Sequence, residues 1–593
     1  MDWRKLIAEL RRRNVFKATI AYLAIAWVII QIASIVFPAF DAPDYFLKAL
    51  IYLLSVGLVL WVVFSWIYDW TPSGFQKTDD LEDDPESVRW NNRRWNRIFA
   101  GIIVFSVLIL LGVSFWAGST WKNEFNTGDS KKIVVIPLAD DGQEDSVFFG
   151  LGLTDMLIEE LSKVDQLKVI NPRSSKLLQA GIASGNSLFN DVVNGIDYYV
   201  EGSLDRDKDQ VSATIALKKS LDAEQATWKK NYKRDISEIR FLWAEVAQDL
   251  ISHLGIEVEK EDLKKWSHLR RVNPETFELY LKGRHYLNKS DPAEWTRGLM
   301  YLEEAIDKNP ADPYAYAYLS EAYINLGHGP DPPPEVYPKA LAAAERAIQL
   351  DSTVALGWAA LSQYHTYFGK DWNLAEYAFR RAEALNPNLA DNYYHRAWYL
   401  ALFGRMNEAI TAHKKAQELD PFAPLNTAWL GELYRMVGEY ELGLDEVDKA
   451  AHIEEDLANS YLIRGWIYLD MGQTEEGLES LRKAGEINPA WNYVGLGPAL
   501  IRTGRTDEAK EIIQDLETNP LNGYRALCLA LHYIQLGDFD NAFKCLEYKQ
   551  KHGWYPWLRI MFTTAEFRKD PRFLKIIRDM NLPDPAPLDF DPV

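Results

Sequence analysis

Four alanines, Ala382, Ala416, Ala450 and Ala484, stand 34 residues apart, and five positions after each comes Pro387, Pro421, Glu455 or Pro489. A small residue lets two helices cross closely, and a proline cannot continue a helix. Repeated at this period, the pair predicts stacked helix-turn-helix units, each burying its apolar face only against its neighbours. Arrays of this kind hold other proteins far more often than they catalyse reactions.

One unit shows what recurs. From Asn388, the apolar or small positions Tyr393, Ala397, Leu400, Ala409, Ile410 and Ala416 keep helical spacing on either side of Gly404. A glycine there can take the positive φ that a turn between two helices requires. The next two units repeat the scheme, with Gly431, Tyr434, Gly438, Gly443 and Ala450, then Gly465, Tyr468, Gly472, Gly477, Leu481 and Ala484. These residues resemble the tetratricopeptide pattern. Weaker copies extend it upstream through Ser362, Ala375 and Ala382 (with a one-residue insertion), through Ser320 and Ala340 (interrupted by GHGPDPPPEVY), and through Gly283 and Ala305. Downstream, Gly504 and Ala509, then Gly537 and Ala542, continue it. About eight units are expected over 272–550, with an irregular cap over 551–593.

The amino-terminal part has another character. Residues 18–40, 49–68 and 98–121 are uncharged apolar stretches of 23, 20 and 24 residues, and about 20 residues span a bilayer core as a helix. Three transmembrane helices are expected. Six Lys and Arg precede the first, one lies between the first two, and five lie between the second and third. The positive-inside rule therefore places residues 1–17 and the 69–97 loop in the cytoplasm and everything after Trp121 outside. The acids Asp79 to Asp84 do not enter that rule. A cleaved signal is the rival for the first stretch, because RRNVFK resembles a twin-arginine signal. The stretch is too long for a signal core, and no small-x-small cleavage site follows it.

Residues 131–257 read differently again. IVVIPL and LKVI are short β-branched runs separated by the helical stretch GLTDMLIEELSKV. DYYVEGSL, QVSATIAL and ATWKKNYKR read as three strands, and Asp235 starts an amphipathic helix. A small α/β domain is expected, completing a fold class of three-span α-helical anchor, α/β domain and all-α tetratricopeptide solenoid. The sequence FFGLGLTDMLIEELSKVDQLKVINPRSS, with the YYVEGSLDRDKDQVSATIAL and YKRDISEIRFLWAEVAQDLI segments, resembles the TolB amino-terminal-like domain. The opening LIAELRRRNVFKATIAYLAIAWVIIQIASIVFP, the WIYDWTPSGFQK segment and the closing DPRFLKIIRDMNLP resemble bacterial inner-membrane proteins of this architecture. That resemblance implies an inner-membrane protein whose carboxy-terminal domains are periplasmic. It implies no reaction, and only about 17 residues precede the first span, where relatives often carry a winged-helix or cyclase domain.

Composition narrows the partners. The segment after Trp121 carries 53 basic and 74 acidic residues, an acidic surface that argues against nucleic acid. Cys528 and Cys545 fall on the two helices of the last clear repeat; they could pair in an oxidising compartment or serve as small core residues. No GxxxxGK[ST], HExxH or paired CxxC occurs, so no catalytic, cofactor or metal site is expected. Gly150 and Gly152 lack the third glycine of a dinucleotide fingerprint and are expected to shape a helix entry, with Thr154 and Asp155 in its first turn. His365, His395 and His413 on repeat helices are expected to pack or lie exposed, and Glu454, Glu455 and Asp456 to be solvated.

Two functions follow. The first is a non-enzymatic, membrane-anchored periplasmic scaffold that grips a protein or peptide in a tetratricopeptide groove. The alternative is a transmembrane sensor or regulatory subunit whose α/β domain binds a ligand and signals to a cytoplasmic partner. In tetratricopeptide stacks the first helix of each unit lines the concave face. Counting from Ala390, Pro424 and Ala458 puts Tyr394 and Trp398, Glu432 and Arg435, and Leu462 and Trp466 along that groove. Aromatic and arginine residues suit peptide recognition. The competing expectation is that the two tryptophans pack between repeats.

Overall fold

The computed structural model describes most of residues 130–583, with short gaps, and scattered positions between 15 and 77. It divides into two units, residues 1–128 and 129–593.

In the first unit, the described positions of the first two apolar stretches are helical except Tyr68. The stretches touch where the Tyr22 hydroxyl donates to the Leu54 carbonyl at 2.9 Å and the Tyr22 ring lies 6.2 Å from that of Trp61. The expected spans 18–40 and 49–68 lie largely, and 98–121 entirely, outside the described residues. Among the described residues, no helix is long and apolar enough to cross a membrane. The second stretch does not run as helix to Tyr68. That residue opens a hairpin of β1 (Tyr68–Thr71) and β2 (Gly74–Lys77), with Tyr68 opposite Lys77 and Thr71 opposite Gly74.

The second unit begins with a mixed sheet of β3 (Lys131–Val135), β4 (Ala139–Asp140), β5 (Leu167–Val169), β6 (Tyr198–Asp207), β7 (Gln210–Lys218) and β8 (Trp228–Asp235). The strand order is β5-β3-β6-β7-β8, with β4 also on β6. β3 is parallel to both β5 and β6, and β6, β7 and β8 form an antiparallel meander. A run such as IVV suits a strand covered on both faces, and Ile133, Val134 and Val135 are all fully buried. Ile133 and Val135 face the core made with helices α1 (Val147–Leu161) and α4 (Ile239–His253). Val134 packs with Leu178 of α2 (Pro172–Ser184), with Ile196 just after α3 (Asn190–Asn194), and with Phe422 from the repeats. The Asp235 carboxylate accepts from Ser237 N at 3.0 Å, capping a short 3-10 turn that leads into α4.

Residues 274–551 form eight helix pairs. The first helices are Pro274–Leu287, Pro313–Gly327, Ala355–Tyr364, Ala390–Leu402, Pro424–Met436, Ala458–Asp470, Gly497–Arg502 and Gly523–Gln535. Their partners run from Pro292–Lys308 to Phe539–Lys551. The 34-residue ladder has a structural counterpart in the turns: Gly404, Gly438 and Gly472 have φ of 75°, 78° and 79°. Ala382, Ala416, Ala450 and Ala484 are fully buried. Close approach explains the small residues: a methyl at Gly465 would lie 2.9 Å from the Gly477 carbonyl oxygen of the partner helix. The one-residue insertion of the third repeat is absorbed by a π turn at His365–Gly369, which spends one more residue per turn than an α-helix.

Cys528 is buried and Cys545 half-buried, and both are free thiols in the same apolar cluster. Burial raises their pKa values to about 12 and about 11.

Candidate functional site

The face formed by the first helices is where a tetratricopeptide array would take a ligand. Five of the six residues expected in an open groove are buried there: Trp398, Glu432, Arg435, Leu462 and Trp466. Tyr394 is half-buried, with its ring 5.3 Å from that of His413. As the chain stands, these side chains do not form an open contact surface. The physical reason differs along the array.

Leu462 and Trp466 pack between repeats six and seven, in one cluster with Leu481, Leu496 and Leu500. Glu432 and Arg435 belong to a chain of buried charges. Arg435 donates through Nε and Nη2 to the two Glu432 oxygens at 2.7 and 2.8 Å, and through Nη1 to Asp470. Arg502 reaches the other Asp470 oxygen at 2.8 Å, so three successive first helices are tied together. Burial alone would lower the Arg435 pKa; Glu432 and Asp470 outweigh it and raise it. A guanidinium fork is suited to this bridging because its donors are planar and fixed.

Trp398 is covered by the carboxy-terminal segment of the same chain. Its ring meets Trp557 edge-to-face at 5.2 Å and Trp429 at 5.5 Å. Arg559 Nη1 donates to the Leu402 carbonyl at 2.5 Å, and Trp372 Nε1 donates to the Met580 carbonyl at 2.8 Å. Phe567, Phe573 and Ile577 complete the contact in a cluster shared with Leu433 and Leu527. The expected cap over 551–593 thus lies, where it is described, across the first helices rather than only at the end of the stack.

The α/β domain covers the earlier repeats. Asn388 Nδ2 donates to the Ser162 and Val164 carbonyls at 3.1 and 3.4 Å, and its Oδ1 accepts from Val169 N at 3.2 Å. Asn171 N donates to the Leu419 carbonyl at 2.8 Å, and Ser174 bonds both Asp420 and Phe422 N. Gly152 lies within α1 rather than at its entry, because the helix begins at Val147. A methyl at Gly152 would stand 2.8 Å from Leu281 Cδ2, so the glycine permits α1 to approach the first repeat.

At this seam lies a cavity of about 420 Å³, lined from α1 and α2, from the first helices of repeats one to four and from the loops after repeats three and four. Its acids include Glu159, Glu321, Asp391 and Asp420, brought together from positions far apart in the chain. No short motif announces such a set. Burial, together with the neighbouring Asp391, raises Glu321 to about 7 against the lowering effects of Arg284 and Arg173. Burial raises Asp420 to about 6. His395 is held neutral by burial, at about 3.

An acid whose pKa is higher folded than unfolded loses stability as pH rises from its unfolded value through its folded one. For Glu321 that window runs from about 4.5 to about 7. Glu321→Gln removes the loss. Its melting temperature is therefore expected to match the parent near pH 5 and exceed it at pH 8, as followed by tryptophan fluorescence; a parallel offset at both pH values would contradict this origin.

Comparison with known proteins agrees with the repeat reading. A tetratricopeptide-repeat family model matches residues 458–490, the sixth helix pair. The chain is 23% identical over 279 residues to the transcriptional regulator HilA of Salmonella typhimurium (strain LT2), covering 46% of this chain and 48% of that one. It is 24% identical over 232 residues to a putative adenylate cyclase 3 of Rhizobium meliloti (strain 1021), covering 38% of each. The chain thus spans about half or less of these relatives. Among solved structures, PilW, a type IV pilus biogenesis factor, is 15% identical with a TM-score of 0.27, covering 45% of this chain and 98% of that one. YrrB, a tetratricopeptide protein, is 20% identical with a TM-score of 0.25, covering 32% and 92%. By its period, its helix pairs and this match over one unit, the chain carries tetratricopeptide-type repeats.

Proposed function

We propose that this protein is a membrane-anchored scaffold that binds a protein or peptide segment on the first-helix face of its repeats, with the α/β domain and repeats in the periplasm of a bacterial inner-membrane protein. The observation that carries the reading is that this face already holds a peptide-like segment of its own chain, through Trp398 against Trp557 and through Arg559 on the Leu402 carbonyl. Stacked aromatics and backbone-directed hydrogen bonds are what a bound partner segment would use. The apolar stretches support the anchor by their length, and the Tyr22 to Leu54 contact supports the pairing of the first two. The α/β domain resembles the TolB amino-terminal-like module and serves here as a brace for the early repeats.

Occupancy by the carboxy-terminal segment competes with an external segment in this reading. Trp557→Ala in the full-length protein is expected to increase partner capture severalfold in co-purification from mild detergent. Unchanged or reduced capture would count against the groove. Stable periplasmic partners favour the scaffold, whereas a cytoplasmic kinase or cyclase would favour the sensor alternative.

Topology is tested separately. With basic residues distributed six, one and five around the spans, a phosphatase reporter fused after Asp129 is expected to be active and one fused after Leu81 inactive. The reverse pattern would overturn the periplasmic placement.

A further inference from the structure

The seam cavity between the α/β domain and the repeats has the character of a binding site that scaffolding does not require. Asp155 is 4% exposed and lines the cavity, and among the described residues its Oδ1 has no hydrogen-bond partner, with the Lys176 ammonium 3.5 Å away, while Arg284 stands 3.7 Å from Oδ2. Arg284, 6% exposed, likewise leaves Nε without a hydrogen bond, while its guanidinium lies 4.9 Å from the Tyr318 ring centroid. Buried polar groups nearly always find partners, so an acceptor and a donor left without hydrogen bonds on the two sides of the seam point to a group that completes them.

Charge selects the class of that group. The lining carries five acids, Asp155, Glu159, Glu321, Asp391 and Asp420, against three bases, Lys176, Arg284 and the exposed Arg173. Clustered carboxylates in a partly desolvated space favour a cation, and burial already disfavours their ionised forms at Glu159, Glu321 and Asp420. The cavity is of the size that holds small organic ligands rather than a bare ion, and among the described residues no three carboxylate, histidine or cysteine ligands group as a metal site would.

We infer that the cavity binds a small organic cation carrying a primary ammonium or guanidinium group and a hydrogen-bond acceptor. The cationic head sits among Glu321, Asp391 and Asp155, and the acceptor meets Arg284 Nε. Because its walls come from both the sheet domain and the first helices of the repeats, such a ligand links the two and stiffens the seam. Partner capture by the array does not depend on it, so either reading can fail alone.

L-Argininamide, which carries guanidinium, ammonium and amide, is the probe, titrated calorimetrically into the full-length protein in detergent, with acetate as the anionic control. Saturable one-to-one binding is expected, weakened at least tenfold in Glu321→Gln/Asp391→Asn and unchanged in Asp507→Asn, whose carboxylate is exposed and paired with Lys510 on the seventh repeat. Absence of binding at millimolar concentration, binding unaffected by the double substitution, or binding of acetate instead would overturn the inference. If the double variant does not fold, Leu356→Trp fills the cavity without altering charge: lost binding supports the site, and retained binding overturns it.

Discussion

Replacing Arg435 by alanine is expected to destabilise the repeat array by about 3 to 5 kcal/mol. Arg435 is the middle of the buried chain Glu432–Arg435–Asp470–Arg502. After truncation Asp470 keeps Arg502, but Glu432, 3% exposed, loses the guanidinium that neutralises it. The cost is that of an uncompensated buried charge, not the modest net worth of the original pair. The distinction has its own experiment. Glu432→Gln combined with Arg435→Met removes both charges together and should recover much of the loss. Urea unfolding of the two variants, followed by circular dichroism, measures the difference. A loss below about 1 kcal/mol for Arg435→Ala, typical of an exposed pair, would mean that the chain is solvated in solution.

The same residues show where sequence reasoning succeeds and where it stops. The turn at Gly404, the crossing at Gly465 and Gly477 and the buried Ala416 were legible because each answers a local demand, either a positive φ or a close backbone approach, that recurs every 34 residues. The strand around Ile133 was legible for a similar reason, since a β-branched run buried on both faces carries its own signature. Helix α2 was missed. Its sequence PRSSKLLQAGIAS offers little apolar content, and it is held through Ser174 to Asp420 and Phe422, some 250 residues away. The groove positions exposed the main limit of period counting. Counting from Ala390, Pro424 and Ala458 finds the inner face of each first helix, but not what covers that face. The cover comes from the chain's own carboxy-terminal segment at Trp398, a neighbouring repeat at Trp466 and an inter-repeat charge chain at Arg435. The cavity acids escaped notice for the same reason, because Glu159, Glu321 and Asp420 are brought to one cavity from parts of the chain far apart in sequence.

Truncating Trp466 is expected to have an effect as large as losing Arg435 and of a different kind. Trp466 is 1% exposed among Leu462, Leu481 and Leu500, so Trp466→Ala opens a cavity between repeats six and seven and should cost about 3 to 5 kcal/mol. Trp398→Ala, at 6% exposure, belongs in the same range, but part of its packing is against Trp557 and part against Trp429. The two substitutions therefore separate a repeat-to-repeat contact from a contact with the carboxy-terminal segment. In limited proteolysis, Trp398→Ala should speed cleavage between residues 552 and 583 relative to the parent, while Trp466→Ala should leave that segment protected until the array itself unfolds. Contacts in a repeat stack act mainly on nearest neighbours, and the segment bridges Trp398, Leu433 and Leu527 from repeats that are not all adjacent. Its release should consequently lower the cooperativity of unfolding across repeats four to eight as well as the midpoint. A Trp398→Ala protein that keeps the segment protected and unfolds as steeply as the parent would show that Trp557 is held there by other contacts, and that the first-helix face is not what retains it.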